Sequence, residues 1–151
     1  MSSLATFFAS LYDRAHTLEQ EGRFKGNEEN KMWRQIGPKN KLSIQPCRRV
    51  YSSAGKLCDI ALYCVHGKFY AIDARCPHLG GPLDVIVDLE ELTEMPVPHA
   101  MCPWHLFAYN LTNGSSPQGL KVDTHPVKVQ NGNVYVLHET ELSLQAYETD
   151  I

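Results

Sequence analysis

The sequence predicts a mainly β domain preceded by an amphipathic helix, and three observations predict it. From Trp33 onward the chain breaks into short apolar runs with turn residues at close intervals, the mark of an all-β domain. Two of these runs carry hairpin signals, at Gly67-Lys68 and at Asn131-Gly132. Ahead of them, apolar residues near the amino terminus repeat with the spacing of one helix face. At 151 residues the chain suits one domain, which can bury roughly two-thirds of the surface its unfolded form exposes. With 43% hydrophobic and 21% charged residues it has neither a disordered nor a membrane composition. The longest apolar run is too short to span a bilayer.

In chain order, Leu4, Phe7, Phe8, Leu11, Tyr12, Ala15 and Leu18 predict a helix over 4–20, with Ser2 or Ser3 as cap. Gly22 and Gly26 end it, and a polar linker runs to about Lys31. Membrane-surface and targeting helices are rich in Lys or Arg on the polar face. This one offers Asp13, Arg14, His16 and Glu19, so packing on its own domain or self-association is the expectation. "LCDIALYCVHGKFYAID" then reads as two strands joined by a turn, and "VKVQNGNVYVL" as a tight type I′ hairpin. Residues 140–151 read as a polar tail. The expected division is a helix and linker over 1–31, the β domain over 32–139 and the tail over 140–151.

Charge is uneven. Up to Lys56 there are ten Lys/Arg against five Asp/Glu, and from Leu57 onward four against twelve. Nucleic acid is not an expected partner for the acidic part, because binding phosphates needs clustered Lys and Arg. Five cysteines, Cys47, Cys58, Cys64, Cys76 and Cys102, make an odd set, and no secretory leader pattern precedes them. A reducing, intracellular and cytoplasmic setting is expected, where such cysteines are metal ligands or buried. Cys47, Cys58 and Cys64 suit strands as small hydrophobes, and His66, His125 and His138 suit surface or hairpin positions.

Two stretches resist a plain structural reading. "RCPHLGGPLDV" (75–85) sets Cys76 two positions before His78, and "MCPWHLFAY" (101–109) sets Cys102 three before His105. Two thiolates and two imidazoles on loops stiffened by Pro77 and Pro103 point to a metal. One possibility is a tetrahedral Cys2His2 zinc site. Zinc fingers, however, usually pair like with like, whereas here each loop carries one of each, which suits a site with two unlike ends. A two-iron cluster with cysteines on one iron and histidines on the other has that asymmetry.

Here the sequence resembles the Rieske [2Fe–2S] proteins, whose loops carry C-x-H and C-x-x-H. "CPHLGGPL" is similar to the first loop and "CPWHLFAYNLTNG" to the second. Pro117 falls where the family places a proline-bearing loop, and "HPVKVQNGNVYV" resembles the closing hairpin. The resemblance runs from about Trp33 to His138. It implies an antiparallel β-sandwich with a smaller cluster-binding subdomain and one [2Fe–2S] cluster per chain. Cys76 and Cys102 would hold the inner iron, and His78 and His105 the outer. It also gives the glycines a purpose: cluster sulfurs take backbone N–H donors, Pro77 and Pro103 have none, and Gly80 and Gly81 let the main chain come close.

Departures from the family narrow the expectation. Quinol-oxidising members carry an additional cysteine in each loop, joined as a disulfide, where this chain has Gly81 and Trp104; the ferredoxin-like branch is the better match. High-potential members place a serine and a tyrosine two and four positions after the second histidine, and here these are Phe107 and Tyr109. One hydroxyl donor is lost, which implies a potential in the lower half of the family's span of about −150 to +300 mV. Leu106 stands where the family usually has glycine, and a branched residue resists positive φ.

Between Leu83 and Met101 lies "DVIVDLEELTEMPVPHA", with Asp84, Asp88, Glu90, Glu91 and Glu94 and no base. It reads either as a solvated insertion or as a docking surface for a basic reductase. Oxygenases that contain such domains add a mononuclear iron held by two histidines and a carboxylate, for which this chain has no spare set. The expected function is single-electron transfer by a soluble carrier without substrate chemistry of its own, serving an oxygenase or reductase. A redox or iron sensor and a zinc-stabilised interaction module are the alternatives.

Overall fold

The computed structural model describes residues 30–147. The helix expected over 4–20 lies outside the described residues. Among the described residues ten strands form: β1 (Met32–Pro38), β2 (Cys47–Ser52), β3 (Ile60–Val65), β4 (Lys68–Asp73), β5 (His99–Met101), β6 (Ala108–Asn110), β7 (Thr124–His125), β8 (Val127–Gln130), β9 (Asn133–His138) and β10 (Leu142–Ser143). Two short helices accompany them, α1 (Lys39–Leu42) and α2 (Leu89–Thr93). All pairings are antiparallel. One sheet has the order β1-β9-β8, a second β10-β2-β3-β4-β7, and a small third pairs β5 with β6.

The period of two along β3 explains how these sheets stack. Ala61, Tyr63 and Val65 face one way, into a core shared with Cys76, Cys102, Leu92 and Tyr109. Ile60 and Leu62 face the other way, into a core shared with Val134 and Val136 of β9. β4 divides likewise, with Ile72 in the first core and Phe69 and Ala71 in the second. The five-stranded sheet is therefore buried on both faces, which is why its central strands read as nearly unbroken apolar runs. Ile60 and Ile72 are fully buried, one in each core, and each contributes about 1.5–3 kcal/mol by leaving water.

Both expected hairpins are present. At Asn131-Gly132 both residues have positive φ (54° and 79°) and Gln130 pairs with Asn133, as a type I′ turn requires. The earlier turn sits one residue before its expected place: Val65 pairs with Lys68, and His66 (φ 51°) and Gly67 (φ 80°) make the loop. Residues 140–143, expected in a polar tail, join the fold, since β10 pairs with β2 and Thr140 is buried against Ser52, their hydroxyls 2.6 Å apart.

Two of the histidines expected at surface or hairpin positions, His125 and His138, are inside. On β9, His138 shares the inward parity of Val134 and Val136 and is fully buried. His125 is also buried, with Nε2 2.8 Å from Asp73 Oδ1 and its ring 5.0 Å from that of His138. His138 Nδ1 accepts hydrogen bonds from the Thr140 N–H (3.0 Å) and hydroxyl (2.9 Å). Burial, and then repulsion from His125, lower the His138 pKa to about 4, so the ring is neutral.

A second polar group ties the sandwich to the ligand-bearing half. Arg49 on β2 donates from Nε to buried Asp59 (2.9 Å) and from Nη1 to Asp84 (3.0 Å). Asp59 also accepts the Ser52 N–H at 2.8 Å. The stretch that follows Leu83 thus begins on a fixed point.

Candidate metal centre

Cys76 and His78 lie on a loop that leaves β4; Cys102 and His105 lie on the loop between β5 and β6. The two loops share one backbone pattern. In the first, the Cys76 N–H donates to the Gly81 carbonyl and the Gly80 N–H to the Cys76 carbonyl, both at 2.8 Å. In the second, the Cys102 N–H donates to the Phe107 carbonyl at 2.8 Å and the Leu106 N–H to the Cys102 carbonyl at 2.7 Å. Antiparallel pairs close each loop one residue outside, Arg75 with Pro82 and Met101 with Ala108. The left-handed position is the same in both, Gly80 at φ 83° and Leu106 at φ 60°. Leu106 therefore adopts a conformation that costs a branched L-residue about 1–2 kcal/mol.

This construction sorts the four side chains by depth. Cys76 and Cys102 are each 2% exposed, while His78 and His105 are exposed. The imidazoles meet edge to face with centroids 4.9 Å apart. Among the described residues, no three His, Cys, Asp or Glu side chains are gathered as ligands of one ion. The four fall instead into a buried sulfur pair and an exposed imidazole pair.

The surroundings fit a sulfur-rich group. Burial raises the Cys102 thiol pKa, while backbone N–H donation from Trp104 and His105 acts the other way by favouring the thiolate. The Tyr109 hydroxyl lies 3.1 Å from Cys76 Sγ. Burial and the neighbouring cysteines push its pKa far up, so it keeps its proton at any ordinary pH. A Cβ on Gly81 would fall 2.6 Å from Cys102 Sγ and 3.1 Å from the Trp104 ring, so only glycine fits there. Trp104 and Gly81, the two positions that hold a disulfide in quinol-oxidising proteins, are thus in contact here by a ring lying on bare backbone.

Two neighbours were not singled out from sequence for what they do. Phe107 stacks on His78, centroids 4.6 Å apart and planes 30° apart, and so fixes the ring it faces. The Arg75 guanidinium lies against Gly80, where an added Cβ would sit 2.9 Å from Nε. The Arg-Cys adjacency was the available signal for Arg75; nothing in the order of residues announces the stacking of Phe107. His99 turns away into a hydrogen bond between Nδ1 and the Val97 carbonyl (2.8 Å). No disulfide joins the cysteines among the described residues; Cys47 and Cys64 sit in strands as expected, and Cys58 ends a 3-10 turn.

A sequence profile of the soluble Rieske-type ferredoxins matches residues 37–117, which include all four side chains. The chain belongs to the soluble Rieske-type ferredoxin family. Among similar proteins is a Rieske domain-containing protein of Homo sapiens, 30% identical over 100 residues, covering 55% of this chain. That match spans 62% of the human protein's length. The ferredoxin subunit of 3-phenylpropionate/cinnamic acid dioxygenase from Photorhabdus laumondii is 31% identical over 81 residues, 52% of this chain and 71% of that protein. Among solved structures, a chain in the complex of reduced oxygenase and oxidized ferredoxin of carbazole 1,9a-dioxygenase superposes with TM-score 0.55 and 25% identity, covering 72% of this Rieske ferredoxin and 95% of its own length. A nitrite reductase small subunit from Mycobacterium tuberculosis shares the fold, with TM-score 0.59 and 18% identity over 72% of this chain and 96% of that one. Among the described residues no helix is long and apolar enough to cross a membrane.

Proposed function

We propose that this Rieske-family chain binds one [2Fe–2S] cluster between its two loops and serves as a one-electron carrier, with Cys76 and Cys102 on the inner iron and His78 and His105 on the outer. The observation that carries the reading is the separation by depth: thiols 2% exposed behind, imidazoles exposed in front, on loops of equal construction. Such a cluster supplies reversible storage of one electron. The protein's own residues do the rest. Backbone N–H groups and the Tyr109 hydroxyl stabilise negative charge on sulfur, the apolar wall of Leu83, Leu92 and Tyr109 keeps water from the cysteines, and Phe107 steadies His78 at the surface a partner would touch.

The partner class proposed is an oxygenase or a reductase, because similar proteins are ferredoxin subunits of dioxygenases and one solved neighbour is an oxygenase–ferredoxin complex. Cysteines that form no disulfide among the described residues fit a reducing, cytoplasmic setting. Purified protein should be coloured, contain two irons and two acid-labile sulfides per chain, and give on reduction the EPR signal of a histidine-ligated cluster. Colourless protein with one zinc per chain would overturn the reading in favour of a structural zinc module.

A further inference from the structure

The segment 84–98 presents two kinds of surface side by side. Of the twelve exposed large apolar side chains among the described residues, Val85, Ile86, Val87, Leu89 and Met95 belong to it. That density is not the scatter of an ordinary soluble surface, where single exposed apolar residues need no explanation and clustered ones mark contact sites. A slight depression there is lined by Val85, Ile86, Val87 and Leu92 together with His99 and Met101 of β5. Around it stand Asp88, Glu90, Glu91 and Glu94, none in an ion pair among the described residues. Asp88 caps α2, accepting from the N–H groups of Glu90 (3.0 Å) and Glu91 (3.3 Å).

The segment is held in shape. Asp84 is fixed by Arg49, Leu92 is buried in the core that contains both cysteines, and the Thr93 carbonyl lies 2.8 Å from His66 Nε2 on the β3–β4 turn. A surface already ordered loses little entropy on binding. An apolar centre with an unpaired acidic rim is the complement of a protein face with a basic rim. Anionic lipid and nucleic acid are repelled by the same four carboxylates.

We propose that the 84–98 surface docks a basic redox protein and that its carboxylates steer the encounter. The proposal rests on the electron-carrier reading, since it names the partner for that centre, which the segment adjoins through Gly81-Pro82-Leu83 and through Met101-Cys102. The test uses the full-length, cluster-loaded chain and cytochrome c as a basic probe. Electron transfer is followed by stopped flow from about 10 to 150 mM salt, over which the screening length falls from about 30 to 8 Å, and complex formation is measured by calorimetry.

Wild-type transfer and binding should both weaken with salt. Glu90→Lys/Glu91→Lys should lower the low-salt rate about tenfold and flatten the salt dependence. Glu139→Lys/Glu141→Lys, the same change in net charge on the β9–β10 connection, should leave both near wild type. Ile86→Ser/Leu89→Ser should weaken binding at high salt, where charge is screened. Ferricyanide, a small anion, should oxidise the Glu90/Glu91 variant at least as fast as the wild type, which shows that the cluster is intact. Equal losses in the two charge-reversed pairs, or none in either, would overturn the docking proposal while leaving the carrier reading in place. Wild-type protein that holds no cluster would overturn both.

Discussion

Tyr109 and Leu106 decide the character of the centre residue by residue. The Tyr109 hydroxyl is the side-chain donor left to the sulfurs once Phe107 occupies the other family position, and donation to sulfur stabilises the more negative, reduced state. Tyr109→Phe should therefore lower the midpoint potential. A hydrogen bond of about 1.5–3 kcal/mol to a charged group corresponds to about 65–130 mV for one electron. Protein-film voltammetry would read the shift, and an unchanged midpoint would count against a bond to sulfur. Leu106 is at φ 60° where its counterpart in the other loop is Gly80. Leu106→Gly should raise the stability of the loaded protein by about 1 kcal/mol in urea unfolding, by removing a side chain that opposes the left-handed conformation. At this scale much was legible: the pairing of a cysteine with a histidine on each of two loops, the need for glycine at Gly81 and the survival of one hydroxyl donor follow from residue order and family resemblance. The left-handed Leu106 was legible only as a conflict, and the stacking of Phe107 on His78 was hidden because it depends on how one loop lies across the other.

Among the elements, β3 and β9 show why some readings held and others did not. A continuous apolar run marks a strand buried on both faces, and β3 is one. His138 does lie on the β8–β9 hairpin, as one of its two expected settings had it, but its parity on β9 matches Val134 and Val136 and places it inside. Its burial has a measurable consequence. The folded pKa is about 4, below the ordinary value of 6.5, so the unfolded chain binds a proton that the folded one refuses. Stability should be unaffected above about pH 7 and fall as pH drops from 6.5 towards 4, by as much as about 3 kcal/mol from this residue. His138→Gln should flatten that part of a urea-midpoint-against-pH curve; an equally steep curve would assign the acid sensitivity elsewhere. The turn of the β3–β4 hairpin was misplaced by one residue because Gly67 was taken as the first turn position, whereas His66 accepts positive φ beside it and leaves Lys68 free to pair.

Across the described residues as a whole, the two cores lie on opposite faces of one sheet, and only one of them contains Cys76 and Cys102. Removing iron with a chelator should loosen one side and spare the other. Hydrogen exchange should accelerate at 76–81 and 102–107 and remain slow across the pairing of β1 with β9, whereas uniform acceleration would mean that the cores unfold together. A mainly β sandwich with a small attached subdomain was readable from turn spacing and from the Rieske resemblance. The joining of β10 to β2 was not, since two paired residues leave almost no periodic trace. For the 84–98 segment the sequence left two readings open, a solvated insertion or a docking surface, because acidity and apolarity become a single face only when Arg49, His66 and the core pin the chain.

That pinning has an engineering corollary. Leu83, Leu92 and Ala100 are anchored in the interior, so the exposed positions between them, Ile86, Leu89 and Glu90 among them, are where partner preference can be rewritten while the anchors stay in place.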